Sequence, residues 1–277
     1  MKIFFSSLLV VVFALPVLAY VPPFQFIASR VAKNHGRNSY VIEQEVTITS
    51  GNETVTGVER WTVEDGATMQ LSLKGALGRG LIVYQKGTKF WKEAQGGMRS
   101  EAQPKEFTEP FFHIRTATGL TDQIVTAAIL SRSQFSTAKK PIRSLKDTQY
   151  TPETYLRLGR TSGVIAYALG QPTPVNAPKP FPGLWIEQDR FHIRKIRFPT
   201  SAEVVAEEYS DFAYDLAFPR QRTITWDGKT ARIQVLKVTA VGKSTISNQN
   251  LNAKDVAVEW PETLATAAIQ EFYRRFR

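Results

Sequence analysis

The chain has 277 residues, 43% of them apolar and 11% aromatic, which excludes a disordered polymer and provides for one large β domain or two smaller ones. It has no cysteine, which excludes disulfides, thiolate chemistry and a cysteine-linked lipid anchor. The net charge of +10 calls for an anionic partner: a membrane surface, an anionic glycolipid or wall polymer, or nucleic acid.

Met1-Lys2 is followed by an apolar run from Ile3 to Leu15, broken only by Ser6 and Ser7, then by Pro16 and Val17-Leu18-Ala19. A positive start, a short apolar middle and small residues at the end predict a secretory signal peptide over 1–19, cleaved before Tyr20. The run is too short for a permanent span, which needs about 20 residues. The expected mature chain, 20–277, is a single soluble domain in the periplasm, where nucleic acid is the least suitable of the anionic partners.

Phe24, Ile27, Ala28 and Val31 recur at helical spacing, and His35-Gly36 stops that helix. Five alternating segments follow, separated by glycine turns: Tyr40 to Ile48, Val55 to Val63, Met69 to Leu73, Leu81 with Val83, and Phe90 with Trp91. Residues 94–107 read as a polar loop and 108–133 as helical, with Phe111, Phe112, Ile114, Ile124 and Leu130 as the apolar members. A basic loop over 136–149 carries Lys139, Lys140, Arg143 and Lys146. Thr151-Pro152-Glu153 predicts the start of a short helix ending near Gly159. The helical insert as a whole is expected over about 108–160.

Six further strands are predicted: Val164 to Leu169, then, after a proline-rich connection at 171–183, segments at 184–187, 191–198, 202–212, 221–226 and 231–239. Leu264, Ala268, Ile269, Phe272, Tyr273 and Phe276 predict a closing amphipathic helix. The expected class is α+β, mainly β: a single curved, unclosed antiparallel barrel of about 11 strands, with helices covering the concave face.

Catalytic signatures are sparse. Gly242-Lys243-Ser244-Thr245 lacks the earlier glycine of a phosphate-binding loop and reads as a turn. His35, His113 and His192 have no partner at ligand spacing and read as surface or strand histidines, and Glu43 with Glu45 as exposed carboxylates on a strand's polar side. No serine-nucleophile elbow is present, so neither catalytic residues, metal nor cofactor are expected.

Phe181-Pro182-Gly183-Leu184-Trp185-Ile186, Phe191 to Phe198, Glu208-Tyr209-Ser210-Asp211-Phe212 and Phe218-Pro219-Arg220 resemble the closing strands of the LolA-like outer-membrane lipoprotein-sorting proteins. The resemblance extends to the order of signal, first helix, early strand and central insert. It implies a half-barrel with a helical lid over an apolar cavity, carrying lipid or lipoprotein acyl chains from an inner-membrane exporter to an outer-membrane acceptor. The family carrier's arginine-proline pair has no counterpart in Arg60 to Asp65, which fits a lipid-binding relative as well as the carrier itself. On this reading Tyr40, Ile42, Trp61, Leu71, Val83 and Trp185 are cavity walls. Phe111, Phe112, Ile114, Ile124 and Leu130 form the lid, and Lys139, Lys140, Arg143 and Lys146 meet anionic head groups. Two alternatives stand beside it: an envelope interaction or lipoprotein-sensing module with a filled half-barrel, and an exported hydrolase.

Overall fold

Alternating apolar residues build one antiparallel sheet in the computed structural model, which describes residues 21–93, 95–136, 153–242, 257–263 and 265–277. The signal segment 1–19, the basic residues Lys139, Lys140, Arg143 and Lys146, the Thr151-Pro152 pair and the turn at 243–245 lie outside the described residues. The first half of the sheet is β1 (Ser39–Ser50), β2 (Glu53–Val63), β3 (Thr68–Gly75), β4 (Gly80–Gln85), β5 (Thr88–Lys92) and β6 (Met98–Ala102). The second half is β7 (Leu156–Thr161), β8 (Val164–Leu169), β9 (Gly183–Glu187), β10 (Ile193–Arg197), β11 (Glu203–Phe212), β12 (Leu216–Trp226) and β13 (Lys229–Val241).

Each half is a meander, and β1 pairs with β13 to join them, so the order runs β6 to β1, then β13 to β7. The sheet remains unclosed between β6 and β7. The helices are α1 (Phe24–Lys33), α2 (Ala117–Thr126), α3 (Arg132–Ser136) and α4 (Thr266–Arg275), with a 3-10 turn at Glu109–Phe112.

The expected architecture is present with 13 strands among the described residues rather than about 11. The first added strand, β6, falls where a polar loop was expected. All five of its residues are exposed, so no apolar alternation marks it, and it is held by pairing with β5. The second, β7, replaces the short helix expected up to Gly159. Leu156 and Leu158 alternate onto the inner face, and Ser162-Gly163, at φ 46° and 79°, turn the chain directly into β8. Two successive positive φ values make the tight hairpin turn whose twist suits antiparallel strands.

One continuous apolar core lies on the inner face, under α1, α2, the 3-10 turn and α4. Phe24, Ile27, Ala28 and Val31 bury one side of α1. Ala268, Ile269, Phe272 and Tyr273 do the same for α4, whose Phe272 and Phe276 rings pack on Trp226 at 5.9 and 5.2 Å. At the chain entry to β1, Gly36 has φ +60°, and a Cβ there would lie 2.0 Å from the Tyr40 hydroxyl. Gly51 has nearly the same φ, +59°, with open space around it. Gly36→Ala should therefore lower the thermal midpoint more than Gly51→Ala, by the overpacking increment of about 1–3 kcal/mol. Equal shifts in the two variants would mean that Tyr40 yields freely.

Candidate functional site

Strand register decides which side chains face the interior. Ile42, Trp61, Leu71, Ile82 and Trp91 are successive partners across β1 to β5, and Tyr40 shares the parity of Ile42. Tyr40, Ile42, Trp61 and Leu71 are thus together in the interior, all 1% exposed or less. Val83 is not with them. It lies one residue out of phase, packed with Leu81 and Phe90 on the outer face, while Ile82 and Tyr84 point inward. The continuous apolar run Leu81-Ile82-Val83-Tyr84 hid that parity. Trp185 also faces outward, under the cations of Lys195 and Arg197 at 5.4 and 5.2 Å from its ring, while its neighbours Leu184 and Ile186 enter the core.

Phe111, Phe112, Ile114, Ile124 and Leu130 all lie in that core, none more than 5% exposed. The described residues 103–136 between β6 and β7 therefore sit inside the half-barrel as a plug. Phe107, at its start, stacks on Tyr84 at 4.4 Å, and Tyr84 stacks in turn on Trp61 at 5.7 Å. Thr116 caps α2 by accepting a hydrogen bond from the Gly119 amide at 3.0 Å, which fixes where the plug turns back on itself. Two clefts open at the rim beside its root, about 890 and 830 Å³ in volume, with Arg115 and Thr116 lining both.

Charges tie the plug to the sheet. Arg222 of β12 donates from Nη1 to Glu109 Oε1 at 2.6 Å and from Nη2 to Gln44 of β1. Gln44 donates to Glu59 Oε2 at 2.6 Å, and the Trp61 indole donates to the same oxygen at 3.0 Å. Arg277 Nε reaches both Glu59 oxygens at 3.2 and 3.3 Å. Its Nη1 donates to Thr108 Oγ1 at 2.9 Å and stands 3.4 Å from Glu109 Oε1. Gln44, Glu59, Glu109, Arg222 and Arg277 are each no more than 2% exposed. Burial pushes the Glu109 carboxyl up, but Arg222 and Arg277 outweigh it and hold the group well below the usual carboxylate range. Aromatic faces complete the enclosure: Arg222 lies 5.1 Å from both the Phe112 and Phe218 rings, and Arg277 lies 4.8 Å from that of Phe272.

The three histidines are buried, not at the surface. His35 Nδ1 donates to the Ile114 carbonyl at 2.9 Å, tying the end of α1 to the plug. His113 stacks on Phe218 at 5.4 Å, with Nε2 3.7 Å from Glu109 Oε2. His192 stacks on Tyr209 at 4.1 Å. Burial lowers all three, His35 to about 3 and His192 to about 4. Glu43 and Glu45 point outward, as their strand parity requires. Among the described residues, no group of three or more His, Asp or Glu side chains converges in a way that could hold a metal ion. No described helix is long and apolar enough to cross a membrane.

Residue spacing alone does not reveal the Glu59–Glu109–Arg222–Arg277 cluster, although part of it leaves a mark. Gln44, Glu59 and Arg222 each interrupt an otherwise apolar inward row, beside Ile42 and Val46, beside Trp61, and beside Ile224.

No protein-family model matches the sequence, and no curated protein is significantly similar to it. Solved structures do share its architecture. A LolA superfamily protein of Nitrosomonas europaea superposes with a TM-score of 0.53 at 8% identity, over 84% of this chain and 99% of the other. A putative outer-membrane lipoprotein-sorting protein domain of Vibrio parahaemolyticus gives 0.49 at 12% identity, over 83% and 96%. A DUF1329 family protein of Desulfovibrio piger gives 0.48 at 12% identity, over 84% and 97%. The first of these likenesses shows the fold, an unclosed half-barrel of the LolA type.

Proposed function

We propose that this LolA-type half-barrel is an exported, periplasmic carrier or binder of acyl chains from lipids or lipoproteins, which it accepts in the interior when the plug withdraws. The observation that supports this most is that a segment outside the strand ladder fills the apolar interior. The plug follows the edge strand β6, and none of its described residues belongs to the strand ladder.

The energetics support exchange. Phe111, Phe112, Ile114, Leu120 and Ile124 each contribute about 1.5–3 kcal/mol by burial, together on the order of 10 kcal/mol. An acyl chain burying about 12 methylenes gains a similar amount at ~0.8 kcal/mol each. Plug and ligand are then near-equal competitors for one apolar surface, as reversible loading and unloading require. The basic residues Lys139, Lys140, Arg143 and Lys146 would meet the anionic surface at which loading occurs, with an exporter and an acceptor as transient partners. The reading requires no catalytic group, metal or cofactor.

Hydrogen exchange with and without a neutral acyl probe such as monopalmitoylglycerol tests the reading. Amides of residues 103–136 should exchange faster when the probe is bound, while β1, β2, β12 and β13 stay protected. The filled interior favours a second reading, in which the half-barrel is an envelope interaction or sensing module. A protein that takes up no acyl probe, and copurifies with none when native mass spectra are taken without detergent, would establish that alternative over the carrier.

A further inference from the structure

We infer that the ligand is a single-tailed amphiphile with a carboxylate head, and that Glu109 keeps the seat of that head while the interior is empty of ligand. The inference rests on the acyl-binding reading above and specifies its ligand.

The seat is built on the sheet and on Arg277 just past α4, not on the plug. Gln44 of β1 anchors Arg222, and Glu59 of β2 anchors Arg277 through both carboxylate oxygens. These contacts do not involve the plug and remain when it moves. What the plug adds is one carboxylate, whose Oε1 takes the Arg222 bond at 2.6 Å and faces Arg277 at 3.4 Å.

Charge balance makes that carboxylate hard to remove without a substitute. With Glu109 in place, two guanidiniums face two carboxylates. Without it, Glu59 alone opposes Arg222 and Arg277, and one buried positive charge is left over. An uncompensated buried charge is strongly unfavourable. An incoming anion removes that penalty, while a neutral lipid head leaves it.

The seat also holds more donors than Glu109 uses. Arg222 Nε and Arg277 Nη2 are buried and have no hydrogen-bond partner among the described residues, and the two arginines are 2% and 0% exposed. Guanidinium forks bind carboxylates with paired hydrogen bonds, and a free acyl carboxylate can turn to use donors that a backbone-tethered glutamate leaves idle. The ring faces of Trp61, Phe218 and Phe272 beside the two guanidiniums then offer the tail an apolar path starting at the head.

The experiment displaces the neutral fluorophore N-phenyl-1-naphthylamine from the full-length protein with palmitate or with monopalmitoylglycerol, which share one tail length. Palmitate should act at about tenfold lower concentration, the equivalent of one charge-assisted bond. Glu109→Gln, which keeps the shape of the side chain and removes its charge, should widen that ratio. Arg222→Met should bring it close to one. Equal potency of the two lipids on the unmodified protein overturns the carboxylate seat and leaves acyl binding intact. So does a ratio that Glu109→Gln leaves unchanged, a result that does not depend on Arg222→Met folding. Binding of neither lipid overturns the acyl-binding reading together with the seat.

Discussion

Glu109→Ala should lower stability by about 3–5 kcal/mol, read as a fall in the urea midpoint with an unchanged slope. The substitution deletes a carboxylate that is 1% exposed and leaves Arg222 and Arg277 facing only Glu59. Distance alone does not decide the size of the effect. Arg132 and Asp122 are also 2.6 Å apart, but their side chains are 60% and 58% exposed, and water screens them. Asp122→Asn should therefore change stability by less than about 1 kcal/mol.

The double variant Glu109→Leu with Arg222→Met removes one charge of each sign and leaves Arg277 with Glu59. It should regain at least half of what the single change loses, because well-packed apolar replacement of a buried pair is often neutral. If Glu109→Ala is no worse than Asp122→Asn, the buried charges are not coupled as their geometry implies.

The second large effect is acid sensitivity. His35 donates to the Ile114 carbonyl as a neutral ring, and its surroundings oppose a second proton: burial first, then the neighbouring His113, His192 and Arg115. Its pKa is depressed on folding, from 6.5 to about 3. The unfolded chain therefore binds the proton more readily. The stability contributed by the neutral ring is complete above pH 6.5 and is lost progressively as the pH falls toward 3.

Between pH 7 and pH 5 the loss from His35 is about 2 kcal/mol, at 1.36 kcal/mol per pH unit below the unfolded pKa. His192, which burial depresses to about 4 against the pull of Glu187, adds a similar loss over this range, because its folded-state value also lies below pH 5. His113 adds in the same direction, limited by Glu109. Urea midpoints at pH 7 and pH 5 measure the total, and His35→Gln should flatten the dependence by about one proton. A midpoint equal at the two pH values would show that these rings are already protonated or solvated in the folded state.

Both effects involve residues that strand periodicity could not evaluate. Alternation reports which face a side chain takes, and it located Tyr40, Ile42, Trp61 and Leu71 because their strands switch cleanly between apolar and polar. It failed at Val83, where four apolar residues in a row carry no parity, and at Trp185, whose ring is apolar enough for a core yet packs under cations outside. It missed β6, which is polar along its whole length, and read the Pro152 segment by its helix-start chemistry instead of by the Leu156–Leu158 alternation behind it.

The plug residues were recognisable because helical spacing and aromatic content coincide at 108–133. That they fill the interior was not, since a lid over a void and a plug in a core have the same composition. The arginine–glutamate cluster was the least legible feature. Its members come from positions as far apart as Glu59 and Arg277, and only the folded sheet brings them together.

The order of the strands bears on how the molecule assembles. Within β1 to β6 and within β7 to β13, every pairing joins consecutive strands, and among the described strands β1 with β13 is the one pairing that joins the two runs. Assembly of the described sheet therefore needs one strand pairing of long sequence separation, which joins two runs of hairpins. The buried cluster is complete only after that event, because Arg222 of the second run bonds Gln44 of the first. Completion of the cluster that surrounds Glu109 thus waits for the two runs to meet, and until then the interior they enclose is not yet formed.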